Sequence, residues 1–302
     1  MKIRTLSDYL KEMYGQKVYK IALSSGCTCP NRDGTLMTGG CTFCTAGGSG
    51  EFAEPAGDVA ELEAQILAAE ARVLSKLPAD LPPERRKFIA YFQSYTNTYG
   101  DINRLTDLYS RVLARPDIAG LSVGTRPDCM GDDVLAMLAH LNAVKPVWVE
   151  LGLQTAHDET ARRIHRGYRT DIYDACVRRL HNAGLTIVTH LILGLPGESR
   201  EDMLDSVRHV AELITAPDGI KLQMLNILEG SQLAREFEAR PFAQMTMEEY
   251  CSLVVDCLKL LPEGTVIHRM TGDGPRRLLL SPAWVTDKKR VMNLLHKKIR
   301  ET

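Results

Sequence analysis

LTIVTHLILGLPGESREDMLDSVRHVAELI, Leu185 to Ile214, changes its period part-way through. Leu185 to Gly194 is apolar and β-branched, with the length of a buried strand, and GLPGES is a turn cluster. From Arg200 onward the apolar residues recur at helical spacing. The same unit appears along the chain. KVYKIALSS, KFIAYFQ, IAGLSVG, PVWVELG and GIKLQML read as further strands, and VIHRM as a weaker seventh. Amphipathic helices such as DVAELEAQILAAEARVLSKL, INRLTDLYSRVLA and DDVLAMLAHLN fall between them. Strands alternating with helices predict an α/β fold: a partial (β/α)6 TIM-like barrel of parallel strands with the helices outside, plus a C-terminal helical extension. The expected division is an N-terminal helix over 1–16, the barrel over 17–230, and an extension over 231–302 packed on it and ending in a basic helix. The units repeat at about forty residues without a shared motif, which argues against a solenoid.

A chain of 302 residues with 44% hydrophobic content can bury a substantial core. It has no apolar run long enough to cross a membrane, and MKIRTLSDYLKEMYG lacks the pattern of a secretory signal. A cytoplasmic protein with no membrane association is expected, and in a reducing compartment grouped cysteines read as metal or redox groups. The formal net charge of −1 gives no global reason to expect nucleic acid. Locally, Asp287 to Arg300 carries six basic residues against one acidic. Such a run is ordinarily a solvated helix face, and alternatively a phosphate-binding surface.

In a parallel barrel, chemistry collects where the strands end at their carboxyl side. CTCPNRDG, SYTNTYG, TRPDC, QTAHD and GLPGES each follow a strand in turn. The first belongs to CTCPNRDGTLMTGGCTFC, Cys27 to Cys44, which holds four of the eight cysteines. Cys41 and Cys44 lie one turn apart, and Cys29 returns to them across a loop. Thiolates suit zinc or an iron–sulfur cluster. A closed zinc site wants four ligands, whereas Cys129, Cys176, Cys251 and Cys257 are scattered singly. Three thiolates on a four-iron cluster leave one iron open to an external ligand.

Together with FQSYTNTY, GTRPD, ELGLQTAHDETARRIHRGYRT, HLILGLPGES and TGDGPRRLLLSP, this stretch resembles the radical S-adenosylmethionine (SAM) enzymes. Within them it looks like the YhcC/YtqA branch, related to the Elongator catalytic-subunit group, and the likeness runs from Lys17 to Pro282. The family's common short spacing between its first two cysteines is replaced here by a longer insertion. The resemblance implies that Cys29, Cys41 and Cys44 hold a 4Fe-4S cluster, whose fourth iron takes the amino and carboxylate groups of SAM. It also implies an electron donor such as flavodoxin or ferredoxin, reductive cleavage of SAM to a 5′-deoxyadenosyl radical, and hydrogen abstraction from a substrate. Cys27 is left over, either a small half-buried neighbour of the cluster or, by a slip of register, a ligand in place of Cys29. Alternation along an extended chain would point the two the same way.

Several residues are expected around the cofactor. Phe43, between the last two ligands, shields the cluster from water. Alternation in PVWVELG puts Trp148 and Glu150 on one face, so Glu150 needs a polar partner: a ribose diol, an aminoacyl ammonium, or an arginine. Gln154 stands at that strand's mouth. Arg166 offers a fork matched to the cofactor carboxylate, with Arg169 as the alternate. Gln93 and Ser94 end the second strand, where the family has a Gly-Gly-Glu type segment that this chain lacks. Thr125 and Arg126 end the third strand, and Gly124, where the related pattern has Glu, leaves space near the ribose. His190 turns inward, as a hydrogen-bonded core residue or a catalytic group. Lys221, Gln223, Asn97 and Tyr99 are substrate contacts by position alone, and no catalytic residue is assigned.

For the substrate, kinship to the Elongator group and the basic C-terminal helix together point to transfer RNA (tRNA), modified on the C5 side chain of the wobble uridine. A small-molecule or sulfur-insertion reaction, which would give Cys27 a purpose, is the competing enzyme reading. A nonenzymatic zinc or iron–sulfur module that binds RNA is the alternative of another class.

Overall fold

The computed structural model describes residues 1–48, 59–272 and 274–302. In chain order the elements are β1 (Arg4–Thr5), α1 (Leu6–Tyr14), β2 (Tyr19–Leu23), α2 (Val59–Leu74), β3 (Phe88–Phe92), α3 (Ile102–Ala114), β4 (Ile118–Thr125), α4 (Asp132–Asn142), β5 (Val147–Gln154), α5 (Asp158–Arg163), α6 (Thr170–Asn182), β6 (Thr186–Leu193), α7 (Arg200–Leu213), β7 (Gly219–Met224), β8 (Ile227–Leu228), α8 (Gln232–Ala239), α9 (Met247–Leu260), β9 (Val266–Arg269), β10 (Leu279–Ser281) and α10 (Lys288–Arg300). Asp58, the first residue of one expected helix, and Asp273 of the TGDGPRRLLLSP motif lie outside the described residues.

The opening stretch folds as read. Leu185–Gly194 supplies β6, and the turn after it ends in Ser199, whose side chain and that of Asp202 form a capping box at the start of α7. Eight strands form one parallel sheet in the order β1-β9-β7-β6-β5-β4-β3-β2. β1 and β2 are its two unpaired edges, so the curled sheet is a half-barrel. The six expected strands run consecutively as β2 to β7, and VIHRM becomes β9, paired with β7. The segment after residue 230 is therefore more than a helical extension, because it returns to the sheet and gives it a strand. β1 has only two residues, too few to show alternation.

Alternation divides the side chains between two environments. Ile21, Leu23, Phe92, Val149, Leu151, Ile187 and Leu191 face the helices and join the large outer core. Tyr9, Leu10, Val18, Ile89, Trp148, Val188 and Val266 form a separate apolar floor inside the sheet's amino-terminal end. α1 closes this floor, with Tyr9 edge-on to Trp148 at 6.4 Å. Above it lies a polar layer, and above that the loops at the carboxyl ends.

Candidate active site

The loop after β2 turns back on itself through local hydrogen bonds. The Gly40 N–H donates to Asn31 O (2.8 Å) and the Cys44 N–H to Cys41 O (3.0 Å), while Thr42 N–H reaches Ile164 O (3.0 Å). Gly40 has φ 85° and lies against the Arg32 guanidinium, where an added Cβ would come within 2.9 Å of Nε. Asn31 anchors the loop to its neighbour, its amide donating to His165 O (2.8 Å), Arg166 O (3.0 Å) and Cys41 Sγ (3.5 Å). The loop thereby places Cys29, Cys41 and Cys44 on the wall of one cavity of about 140 Å³.

The donor set at this cavity, three thiols on one wall, fits an iron–sulfur cluster. Among the described residues, no three His, Cys, Asp or Glu side chains converge as a single metal ion requires. A cluster instead places each thiolate on a different iron. None of the three cysteines is in a disulfide. Hydrogen bonding from Cys44 outweighs burial at Cys41 and, with the Arg126 and Arg32 charges and the Asn31 amide, brings its thiol down to about 7. Thr96 Oγ1 is buried at the cavity wall without a partner, a polar atom for a bound group to satisfy.

Cys27 stands apart. It is buried, lines neither cavity, and accepts from Arg104 Nη2 at 3.3 Å. Gly26 turns the chain through φ 72° and no strand continues past Leu23, so the alternation expected to align Cys27 with Cys29 does not apply.

Glu150 is the centre of the polar layer. Its Oε1 accepts from Ser122 Oγ (2.6 Å) and from Lys20, and its Oε2 from His190 Nε2 (2.7 Å) and Lys221. Lys20 Nζ also donates to Ser122 Oγ (3.0 Å), and Lys221 Nζ to Tyr91 Oη (3.0 Å). Burial alone would raise the Glu150 carboxyl, but Lys20 and Lys221, with His190, hold it well below the usual range. Two ammoniums share this one carboxylate. Burial therefore prevails at Lys221, pulling it down to about 7, and burial plus Lys221 takes His190 down to about 4. Of the partners expected for Glu150, cationic side chains are the ones present, lysines where an arginine was expected, and the residue also lines the cysteine cavity. His190 is hydrogen-bonded, and it also faces both cavities.

Arg166 also lines the cysteine cavity and is held there by its own chain. Its Nε donates to Tyr168 O (2.9 Å), its Nη1 to Leu153 O (2.8 Å) and Thr155 O (2.6 Å), and its Nη2 to Thr170 Oγ1 (3.2 Å) and Asp158 Oδ1 (3.5 Å). Every N–H is taken, and the side chain is 1% exposed. It clamps the turn after β5 through the Leu153 and Thr155 carbonyls. Arg169, the alternate, is exposed and pairs with Asp158 and Asp171. Asn97 is likewise internal, donating to Phe92 O and Gly124 O. Tyr99 bonds Thr35.

Phe43, Gln93 and Gln154 are brought together, each lining both the cysteine cavity and a larger chamber of about 810 Å³ beside it. Thr125 lines the cysteine cavity and bonds Thr98. Gln154 adopts φ 61°, and its amide folds over Gly152, where a Cβ would lie 2.4 Å from Nε2. Tyr95, at φ 59°, lays its ring on Gly48. Left-handed backbone at non-glycine residues carries strain that is concentrated at functional sites. Sequence reasoning missed Arg32, Tyr95 and Tyr168 on this wall. Tyr168 lies under both the Arg126 guanidinium (4.9 Å) and that of Arg166 (4.5 Å). The Arg-Gly-Tyr step at 166–168 was the available signal.

A parallel half-barrel with a three-cysteine loop at its carboxyl end defines the class, and the family models agree. The Radical SAM superfamily matches residues 26–210 and the Radical_SAM C-terminal domain residues 217–301, so the chain belongs to the radical SAM superfamily. It is 40% identical over 295 residues to the protein YtqA of Bacillus subtilis (strain 168), covering 98% of this chain and 88% of that one. A more distant relative, the tRNA uridine(34) acetyltransferase of Dehalococcoides mccartyi (strain CBDB1), is 31% identical over 160 residues, 52% of this chain and 34% of its own. Among solved structures, the archaeal Methanocaldococcus infernus Elp3 with an N-terminal deletion shares the fold, with TM-score 0.65 and 18% identity. That match covers 93% of this chain and 63% of the Elp3 chain. The chain is thus an enzyme of a family that uses a 4Fe-4S cluster and SAM. Among the described residues, no helix is long and apolar enough to cross a membrane.

Proposed function

We propose that this enzyme modifies tRNA, remodelling a side chain on C5 of the wobble uridine, for example by trimming carboxymethylaminomethyl to aminomethyl. Cys29, Cys41 and Cys44 would hold the cluster, and Phe43, Gln93, Thr125 and Gln154 would line the SAM site. When bound, these groups supply the electron from a flavodoxin- or ferredoxin-type donor and the radical chemistry of the family. The chain's own residues orient and enclose. Arg166 fixes the turn above β5, Glu150 with its cations fixes the floor of the cavity, and Phe43 keeps water from the sulfurs.

The observation that carries the tRNA reading is where the basic helix begins. β10 pairs with β8, which follows the carboxyl end of β7, and the Trp284 indole donates to Met245 O (2.9 Å). Met245 in turn touches Gly194 at the carboxyl end of β6. α10 therefore starts at the barrel mouth, presenting exposed Lys288, Lys289 and Arg290 beside exposed Arg276 and Arg277. Its last turn lies at the opposite end, where the N-terminal amine of Met1, ahead of β1, bonds Ile299 O. Val291, Leu295 and Ile299 are buried in the outer core, so the basic face is solvated. The partial similarity to a tRNA uridine(34) acetyltransferase supports the same substrate class. The sulfur-insertion alternative loses its basis, since Cys27 faces neither cavity.

Comparative nucleoside mass spectrometry of tRNA from cells with and without the protein tests the reading. An altered wobble uridine is expected, and an unchanged nucleoside profile would end it.

A further inference from the structure

The larger chamber has an unusual electrostatic lining. Lys17, Lys20, Arg72, Lys76, Lys221 and Arg269 border it, and among the described residues neither Asp nor Glu does. It follows the open side of the half-barrel, between the β2 edge and β9, and shares Phe43, Gln93, Gln154 and His190 with the cysteine cavity. A molecule in the chamber therefore borders the cofactor site.

The cations differ in how fully they are neutralised. Lys20 and Lys221 are held by Glu150. Arg269 makes no ion pair among the described residues, and one of its N–H groups donates to Gln223 Oε1 at 3.2 Å. In the sheet it is registered beside Lys221. His268 precedes it, with its ring against Gly219, where a Cβ would meet Cδ2 at 2.5 Å. Both ring nitrogens of His268 are buried without a hydrogen-bond partner, as is Asn226 Oδ1 on the same wall. Burial holds His268 well below the ordinary imidazole range, so the neutral ring brings an N–H donor. The unused N–H groups of Arg269 and the N–H of His268, on one wall of the chamber, are complementary to an oxyanion.

We infer that Arg269 and His268 form an oxyanion subsite in this chamber, which receives a carboxylate of the substrate's reacting side chain or a phosphate of its nucleotide. The subsite deepens the tRNA reading and depends on it only for the choice between those two sources. Arg269 is a specificity residue here, and the guanidinium fork binds either oxyanion in two-point fashion.

Two measurements test this. In the first, imidazole resonances of the cluster-loaded protein, with ¹⁵N-labelled histidine, are followed against inorganic phosphate and against N-acetylglycine. The His268→Gln variant identifies the signal. A saturable shift of His268 with at least one probe is expected, weakened about tenfold or more in Arg269→Gln and partly restored in Arg269→Lys. No shift with either probe, or equal affinity in Arg269→Gln, overturns the subsite. In the second, anticodon stem-loop RNA bearing 5-carboxymethylaminomethyluridine is compared with its methyl ester. A loss in Arg269→Gln for the acid alone identifies the side-chain carboxylate, equal losses identify a phosphate, and no loss for either overturns the subsite. If nucleoside analysis shows no altered uridine while His268 still responds to the probes, the tRNA reading falls and the subsite stands.

Discussion

Two arginines on the inner side of this half-barrel have opposite fates. Arg166, in the loop between α5 and α6, donates all its N–H groups to its own chain, whereas Arg269, at the end of β9, uses one on Gln223 and turns toward the chamber. Residue type does not separate them, since both are guanidiniums near cavities. What separates them is unused hydrogen-bonding capacity. The same division sets Glu150, ringed by four donors, apart from the cysteine loop, whose three thiols line a cavity. Saturated polar groups hold this molecule together, and unsaturated ones are placed to bind.

The largest expected effects fall on the unsaturated side. Cys41→Ala should abolish turnover and leave a protein that retains less iron and sulfide after anaerobic reconstitution, with little change in its circular dichroism. Full iron retention with full activity would break the comparison at its strongest point. On the saturated side, Arg166→Ala strips partners from several buried carbonyls and should destabilise the fold by about 3–5 kcal/mol, read from denaturant midpoints. Arg269→Gln should cost about 1 kcal/mol or less, because a partly exposed arginine without an ion pair among the described residues leaves few groups unpaired. Similar losses for the two would erase the distinction.

That distinction also marks how far the sequence could be read. Strands β2 to β7 were legible because alternation and turn residues are local signals, and the grouping of Cys29, Cys41 and Cys44 because their spacing is local. The inward face of Glu150 followed from PVWVELG, yet its partners did not. Lys20, Lys221 and His190 stand 130, 71 and 40 residues from it, and only the register of the paired strands brings them to its oxygens. Arg166 looked available for the same reason, since carbonyl acceptors on Leu153 and Thr155 are invisible until the turn closes. His268 and Arg269 sat in the weakest strand candidate, and nothing in VIHRM shows that the half-barrel's open side lies next to them.

The polar layer makes stability depend on acidity. The folded pKa of His190 is depressed to about 4 from its ordinary value of 6.5, so between these values the unfolded chain binds the extra proton. Stability contributed there is present above the unfolded value and is lost as pH falls through the folded one. Glu150, also depressed, adds a loss of the same sign at the acid end. Acidification through this window should remove on the order of 2–3 kcal/mol for the histidine, measured by chemical denaturation at stepped pH. His190→Asn should flatten the profile over that range, and an unchanged slope would show that the ring is not titrating as placed.

At the mouth, neutralising Lys288, Lys289 and Arg290 should weaken tRNA binding and reduce its salt slope by about one for each phosphate that no longer meets a cation. Neutralising Lys297 and Arg300, at the far end of the same helix, should leave both unchanged. Equal effects from the two ends would mean that net charge, and not the mouth, governs binding.

The smallest effect is expected at Cys27, where the two kinds of polar group lie only one residue apart in sequence from Cys29. Its sulfur is buried in the outer core, accepts from Arg104, and lines neither cavity. Cys27→Ala removes one polarizable atom and one weak acceptor, so the fold should lose about 1 kcal/mol. Arg104 keeps a partner in Ser25 O at 2.7 Å, which limits the cost. Iron content and turnover should stay at the level of the unaltered protein, in contrast to Cys41→Ala. Loss of one iron–sulfur ligand's worth of metal from Cys27→Ala, with Cys29→Ala unaffected, would exchange the roles of the two residues and place the register slip inside the active site.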